Sequence, residues 1–260
     1  MTHAERQTAP GPLPILYRDE YLVAVHKPAG LLVHRSVLDA HEERFAVQVL
    51  RDQLGRHVHP VHRLDKGTSG VLLFALDRDT AARLGGAFER QEVAKTYVAV
   101  VRGHPPAAGI IDYPLTRRFD PAERRTRDLA EPPQSARTGF RRLATVELPY
   151  RVDRYPSSRY ALLELTPETG RRHQIRRHLK HISHPVIGDA TFGKGRHNRL
   201  FAELFGCPRL LLACTAMRLA HPHGAAPLDL RAALAPEFAA LVAALGWTEA
   251  AGVLPAPVDS

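Results

Sequence analysis

Apolar positions come in short bursts along this chain, and their spacing sorts much of it into strands and helices. Ile15 to Lys27 holds two apolar runs split by Arg18-Asp19-Glu20, the pattern of a strand, a tight turn and a second strand. Pro28-Ala29-Gly30 then breaks the chain. Val71 to Leu76 is continuously apolar, as a buried strand would be. From Asp77 the period changes: Ala81, Leu84 and Phe88 recur at helical spacing behind an Asp77 or Asp79 N-cap, which predicts a helix to about Gln91. Tyr97 to Val101, Arg159 to Thr166 and Leu210 to Leu219 predict further strands, and Ala235 to Leu245 a closing helix. Arg171 to Ile182 reads as a helix, with Ile175, Leu179 and Ile182 in one apolar stripe and Arg172, Arg176 and Lys180 in a row beside it. Arg176 falls at the edge of that stripe, from which it can turn inward. Residues 103–137 are rich in proline and arginine and weakly patterned, and read as a long loop or arm.

These elements predict an α+β fold: one domain with a mixed, largely antiparallel central sheet flanked by helices and loops. The expected divisions are a loose tail over 1–13, the domain over 14–247 and a second tail over 248–260. With 260 residues, 44% of them hydrophobic, the chain is ample for a core. Lys and Arg number 36 against 27 Asp and Glu, a formal charge of +9, and Arg supplies nearly all of the cations. Arginine suits planar, bidentate recognition of phosphate, although charge alone fits a basic solvated surface equally. Arg117, Arg118, Arg124, Arg125 and Arg127 crowd one stretch of the arm, a density suited to phosphates. Cys207 and Cys214 are the only cysteines, which points to a reducing compartment rather than a disulfide framework. No signal-peptide pattern opens the chain, and no apolar run approaches the ~18–20 residues that cross a bilayer. A cytoplasmic protein with no membrane partner is expected, with a monomer as the default.

Chemistry concentrates around Asp65. His62, Arg63 and Lys66 flank it, Gly67-Thr68-Ser69-Gly70 follows, and an apolar strand begins at once. Two glycines with Thr and Ser make a tight loop whose N–H and hydroxyl groups can hold an anion or a carboxylate. A carboxylate among cations stays ionised and fixed, as a nucleophile or base must be. On composition alone, a turn aspartate capping the strand explains the same residues. Tyr97 opens an apolar strand and is, on the same terms, an ordinary core tyrosine.

The segment His62-Arg63-Leu64-Asp65, followed by Thr68-Ser69-Gly70, resembles the signature of the RluA family of pseudouridine synthases, in which this aspartate is essential. Other landmarks of that family follow in order. Lys27-Pro28-Ala29-Gly30 with Val33-His34 resembles its N-terminal motif, and Lys95-Thr96-Tyr97 the segment carrying its active-site tyrosine. Thr169 to His178 resembles its late basic motif, and His184-Pro185-Val186-Ile187-Gly188-Asp189 the segment after it. The resemblance covers about residues 14–247 and includes no S4 RNA-binding domain. Val33-His34-Arg35-Ser36 and Tyr155 to Tyr160 are similar to the branch that modifies uridine 65 of tRNA. Two departures stand out: Ala213-Cys214 where the family often carries a histidine, and Lys66-Gly67 in place of its common Arg-Pro pair.

The resemblance implies an isomerase that detaches uracil from ribose through N1 and rejoins it through C5, with no metal and no nucleotide cofactor. It implies Asp65, Tyr97 and Arg176 as catalytic, with Arg176 pairing Asp65 and the Tyr97 ring against the flipped uracil. RNA contact is expected from His62, Arg63, Thr68, Lys27, His34, Arg171, Arg172 and Gln174, and Ile187 and Leu212 are candidate pocket walls that also fit a core. The RNA implied is tRNA, with ribosomal RNA as the alternative. Two other classes compete. Cys207, Cys214, His221 and His223 could be imagined as zinc ligands, but they lack the close Cys-x₂₋₄-Cys or His-x₃₋₅-His pairs of such sites. A non-catalytic RNA-binding protein on the same fold is the other.

Overall fold

A computed structural model describes residues 11–35, 44–117 and 132–252. The sheet runs in the order β1 (Ile15–Arg18), β2 (Leu22–Lys27), β4 (Ser69–Ala75), β9 (Leu212–Ala220), β5 (Ala94–Arg102), β8 (Ser158–Pro167), β7 (Arg137–Leu148) and β6 (Ala108–Asp112). β3 (His59–Pro60) adds to β4 and β10 (Pro227–Arg231) to β9. Every pairing is antiparallel except β4 with β9, so the sheet is mixed and largely antiparallel, as the sequence predicts.

The predicted hairpin forms because Asp19 Oδ1 accepts from the N–H groups of Tyr21 and Leu22, both at 2.8 Å. The helix after Asp77 is α2 (Arg78–Glu89), and Asp77 caps it by accepting from Thr80 N at 2.8 Å. α1 (Ala46–Leu54) packs Ala46, Val49 and Leu50 into the core beneath β2 and β4. On the far part of the sheet, α4 (Gly195–Phe205) and α5 (Pro236–Ala244) cover one face through Phe201, Phe238 and Leu241. α3 (Gln174–His181) covers the other through Ile175 and Leu179. Among the described residues, no helix is long and apolar enough to cross a membrane.

Three expectations need correction. Leu13, assigned to the tail, is 2% exposed, and its N–H donates to Gln53 Oε1 at 2.8 Å, so packing already holds the chain there. The stretch 103–137 is not all loop, because β6 pairs along β7 and Leu115 bridges Gln134; of its clustered arginines only Arg117 lies within the described residues. The second tail begins with a helical turn, α6 (Thr248–Gly252), whose Ala251 packs on the core.

The parallel contact of β4 with β9 brings the loop before β4 to the middle of the sheet. It requires Gly70, at φ +109°, to lie against the Cys214 carbonyl where a Cβ would collide. Glycine alone adopts that conformation without strain. The same loop is stapled from the side by His62, whose Nε2 accepts from Leu73 N at 3.0 Å and whose ring stacks on Phe88 at 4.9 Å between centroids. Burial, with a smaller effect from Lys95, pushes the His62 pKa down to about 3, so the acceptor nitrogen stays bare at neutral pH.

Gly70→Ala should lower stability by about 2 kcal/mol or more, through forced φ and displacement of β9. An unchanged urea midpoint would contradict the close approach. For His62 the folded pKa lies below the unfolded one, so the unfolded chain binds the extra proton. Stability from this group is present above pH ~6.5 and is lost as pH falls towards about 3. His62→Asn should flatten the pH dependence of urea unfolding across that window, and a wild-type slope in the variant would remove His62 as the cause.

Candidate active site

Four chain segments meet where β4 and β9 come together. The Asp65 loop enters β4, Leu212 opens β9, Tyr97 lies near the start of β5, and the turn after β8 leads into α3. They line a cavity of about 330 Å³, within the range of small-ligand sites. His62, Arg63, Asp65, Thr68, Tyr97, Arg171, Gln174, Arg176 and Leu212 all line it, so most of the expected site residues converge.

Arg176 dominates its floor. Its Nη1 donates to Asp65 Oδ2 at 2.9 Å, while Nε and Nη2 donate to Asp189 Oδ2 and Oδ1 at 2.7 and 2.8 Å. One guanidinium therefore joins two carboxylates. Asp189 is itself immobilised, because Oδ1 also accepts from Thr191 N and Phe192 N, each at 2.9 Å. Its backbone carbonyl accepts from Gly193 N at 3.0 Å and from Asn198 Nδ2 at 3.1 Å. Burial pulls the Arg176 pKa down, but the hydrogen bonds of Asp189 and the charge of Asp65 win, and it sits above its ordinary value. Burial pushes the Asp189 carboxyl up, and its bonds from Arg176 and the backbone more than offset that, leaving it low. Both groups are ionised at neutral pH. Arg176 thus shares its charge between Asp65 and Asp189, while Arg63, Lys95 and Arg171 add further cations around the same cavity.

The Asp65 loop is held as firmly. Thr68 N donates to the Asp65 carbonyl at 3.0 Å, and the Lys66 carbonyl accepts from Gly30 N at 2.8 Å and Lys27 Nζ at 3.2 Å. Arg209 Nη2 donates to Ser69 Oγ at 2.8 Å. Tyr97 is half-buried. Burial first, then the neighbouring Cys214 thiol to which it hydrogen-bonds and the charge of Asp65, push its phenol well above the ordinary value. It stays protonated and offers a ring face and a hydroxyl rather than a base. Burial likewise pushes Cys214 up to about 12, partly opposed by Tyr97 and Lys95, so it is a neutral thiol.

Several expected residues do other work. Lys27 is fully buried, and its Nζ donates to the carbonyls of Pro28, Leu31 and Lys66 at 2.8, 2.7 and 3.2 Å. It cannot touch RNA and instead ties two loops together. Burial, aided by Arg209 and opposed by Asp65, pulls its pKa down to about 7, yet three acceptors ask for the three donors of the ammonium form. Ile187 is a core residue beside Phe201 and Leu211, not a cavity wall. Gln174 touches the cavity but spends its amide on structure: Oε1 accepts from Arg171 N and Thr169 Oγ1, and Nε2 donates to the Arg137 carbonyl and Thr138 Oγ1. α3 begins only at Gln174, after His173 in the left-handed region, so Arg172 precedes the helix and neither shares a helical row with Arg176 nor lines the cavity. His34 is exposed outside the cavity lining, its pKa lowered by burial and by nearby Arg63.

Two participants were not singled out by the sequence. Asp189 was legible only as part of a motif. His173 sits in the left-handed region at φ 56°, with Nε2 3.7 Å from Asp65 Oδ1. Non-glycine residues held there carry strain that is tolerated where surroundings fix them. The imagined zinc ligands do not converge. Cys214 faces Tyr97, His221 Nε2 lies 2.8 Å from Asp19, and His223 stacks on Tyr21 at 4.1 Å. Among the described residues, no group of three His, Cys, Asp or Glu is placed to hold a metal ion.

Comparison with known proteins agrees with the fold and the motifs. A family model described as RNA pseudouridylate synthase matches residues 21–181. The tRNA pseudouridine synthase C of Vibrio cholerae is 48% identical over 237 residues, spanning 91% of this chain and 97% of that one. Its Vibrio vulnificus counterpart is 49% identical over 220 residues, 85% of this chain and 90% of that one. The solved structure of human RNA pseudouridylate synthase domain containing 4 matches with a TM-score of 0.67 at 27% identity, covering 90% of this chain and 93% of the other. The human domain-containing-1 structure gives 0.67 at 25% identity, covering 90% of each chain. With motifs, family model and relatives in agreement, the chain belongs to the RluA family of RNA pseudouridine synthases.

Proposed function

We propose that this protein isomerises uridine to pseudouridine in tRNA, at position 65, in the cytoplasm. The reading rests on one observation: Arg176 Nη1 meets Asp65 Oδ2 at 2.9 Å across 111 residues of sequence, inside a cavity also lined by Tyr97 and Leu212. Similarity to enzymes named tRNA pseudouridine synthase C supports tRNA as the substrate. The isomerisation breaks the C1′–N1 bond, turns the uracil and forms C1′–C5. N1 ends with a proton and C5 loses one, so no water is consumed and no electrons change hands.

Asp65 serves the ribose side. It either attacks C1′, displacing uracil, or removes the C2′ proton, and both routes need an ionised carboxylate aimed at the sugar. Arg176 holds that carboxylate at one oxygen and leaves the other towards the cavity. Tyr97 and Leu212 offer apolar and aromatic walls for an extruded base, at an unstacking cost of a few kcal/mol that backbone contacts offset. The enclosing walls keep the freed uracil beside the sugar and strengthen the ion pair.

The test is carbodiimide mapping of pseudouridine on tRNA and ribosomal RNA incubated with the pure protein. A mark at tRNA position 65 and none on ribosomal RNA is expected, and the reverse would overturn the substrate. Asp65→Asn should cut the rate at least ~10³-fold while tRNA affinity stays within a few-fold, since the change removes charge and keeps shape. Full activity in that variant would take Asp65 out of the mechanism and leave a binding protein or another nucleophile.

A further inference from the structure

Arg63 and Lys95 are the cavity-lining cations with no carboxylate or hydrogen-bond partner among the described residues. Arg63 is exposed, so water solvates it at little cost. Lys95 is different. It is half-buried, and its Nζ lies over the Phe88 ring at 5.9 Å from the centroid. Glu89 lines the same cavity but forms no ion pair with it. Burial pulls the Lys95 pKa below its ordinary value, with Cys214 opposing. A cation held partly out of water without a counter-ion is a vacancy for an anion.

Its position says which anion. Lys95 and Tyr97 both line this cavity from β5, on either side of the irregularity between Thr96 and Tyr97 in its pairing with β9. Tyr97 sits with Asp65 and Arg176 in the enclosed end, where a base must go. Lys95 lies towards the rim formed by Phe88, Glu89 and Gln91, the last two exposed. A flipped nucleotide puts its base deep and leaves its backbone at the mouth.

Building on the functional reading above, we propose that Lys95 binds an RNA phosphodiester flanking the target uridine, clamping the backbone while the base enters the cavity. It is a positioning residue that acts on the backbone. The uracil anion released during the reaction is the other negative charge within its reach, and the two make opposite predictions.

Lys95→Met keeps the stem on Phe88 and removes only the charge. Losing one phosphate contact should weaken tRNA binding roughly five- to eightfold at 0.1 M monovalent salt and flatten log K against log salt by about 0.7–0.9. Single-turnover rate at saturating enzyme should stay within about twofold, because the contact acts on binding. Lys95→Arg should keep wild-type affinity and salt slope. Without RNA, Lys95→Met should melt no lower than wild type, whereas a merely structural lysine would lower the melting temperature. An unchanged affinity and slope in Lys95→Met overturns the proposal, as does unchanged affinity with a slowed saturated rate, which would move Lys95 to the uracil. If wild-type protein neither binds nor modifies tRNA, the functional reading fails first, a separate outcome.

Discussion

A single guanidinium between two carboxylates organises this protein. Arg176 leaves the first turn of α3, takes Asp189 with two of its nitrogens and offers a third to Asp65. The two carboxylates belong to different parts of the chain, and neither contact is optional. Asp189 is buried and would be an uncompensated charge without Arg176; Asp65 would lose the group that fixes its orientation. The remaining architecture supplies what this bridge needs. β4 and β9 pair in parallel through Gly70 to bring the Asp65 loop inward, and the backbone N–H groups of Thr191 and Phe192 keep Asp189 ionised and still.

Asymmetry in the bridge gives it chemical meaning. Asp189 is gripped through both oxygens, whereas Asp65 is gripped through one, and its other oxygen is 3.7 Å from His173. In the reaction proposed above, the anchored carboxylate positions and the half-free one reacts. Tyr97 lines the cavity with Cys214 beside it, both neutral and protonated, so charge at the cavity comes from Asp65 and the cations. Such a site has its dipoles arranged before substrate arrives, which is the least costly way to stabilise charge that develops only in transit.

What could be read from the sequence divides along physical lines. Asp65, Tyr97 and Arg176 stood in motifs, and helical spacing placed Arg176 at the edge of an apolar stripe, so their meeting was expected. Burial of a charged residue is a tertiary matter: nothing local tells Lys27 from a surface lysine, and only the three carbonyls around its Nζ reveal a tie between loops. Asp189 was hidden for the same reason, since a buried carboxylate announces itself only through its partner. β7 and β6 escaped because Arg137, Arg141 and Arg142 dilute strand alternation, and the edge strand β6 is short. His173 shows how one backbone conformation can reset an element boundary: held at φ 56°, it starts α3 three residues later than apolar spacing implies. Ile187 was indistinguishable from a pocket wall, because apolar residues on either side of a sheet look alike in one dimension.

In the proposed reaction, bidentate anchoring of Arg176 on Asp189 orients Asp65. Lysine preserves the charge but cannot hold Asp189 through two parallel bonds while reaching Asp65. The direct measurement is single-turnover release of tritium from tRNA labelled at uridine C5, comparing Arg176→Lys with wild type at saturating enzyme. The rate should fall by about 10²–10³-fold with tRNA affinity within a few-fold. A wild-type rate in Arg176→Lys would show that charge alone suffices and that the bridge is not what aims the carboxylate.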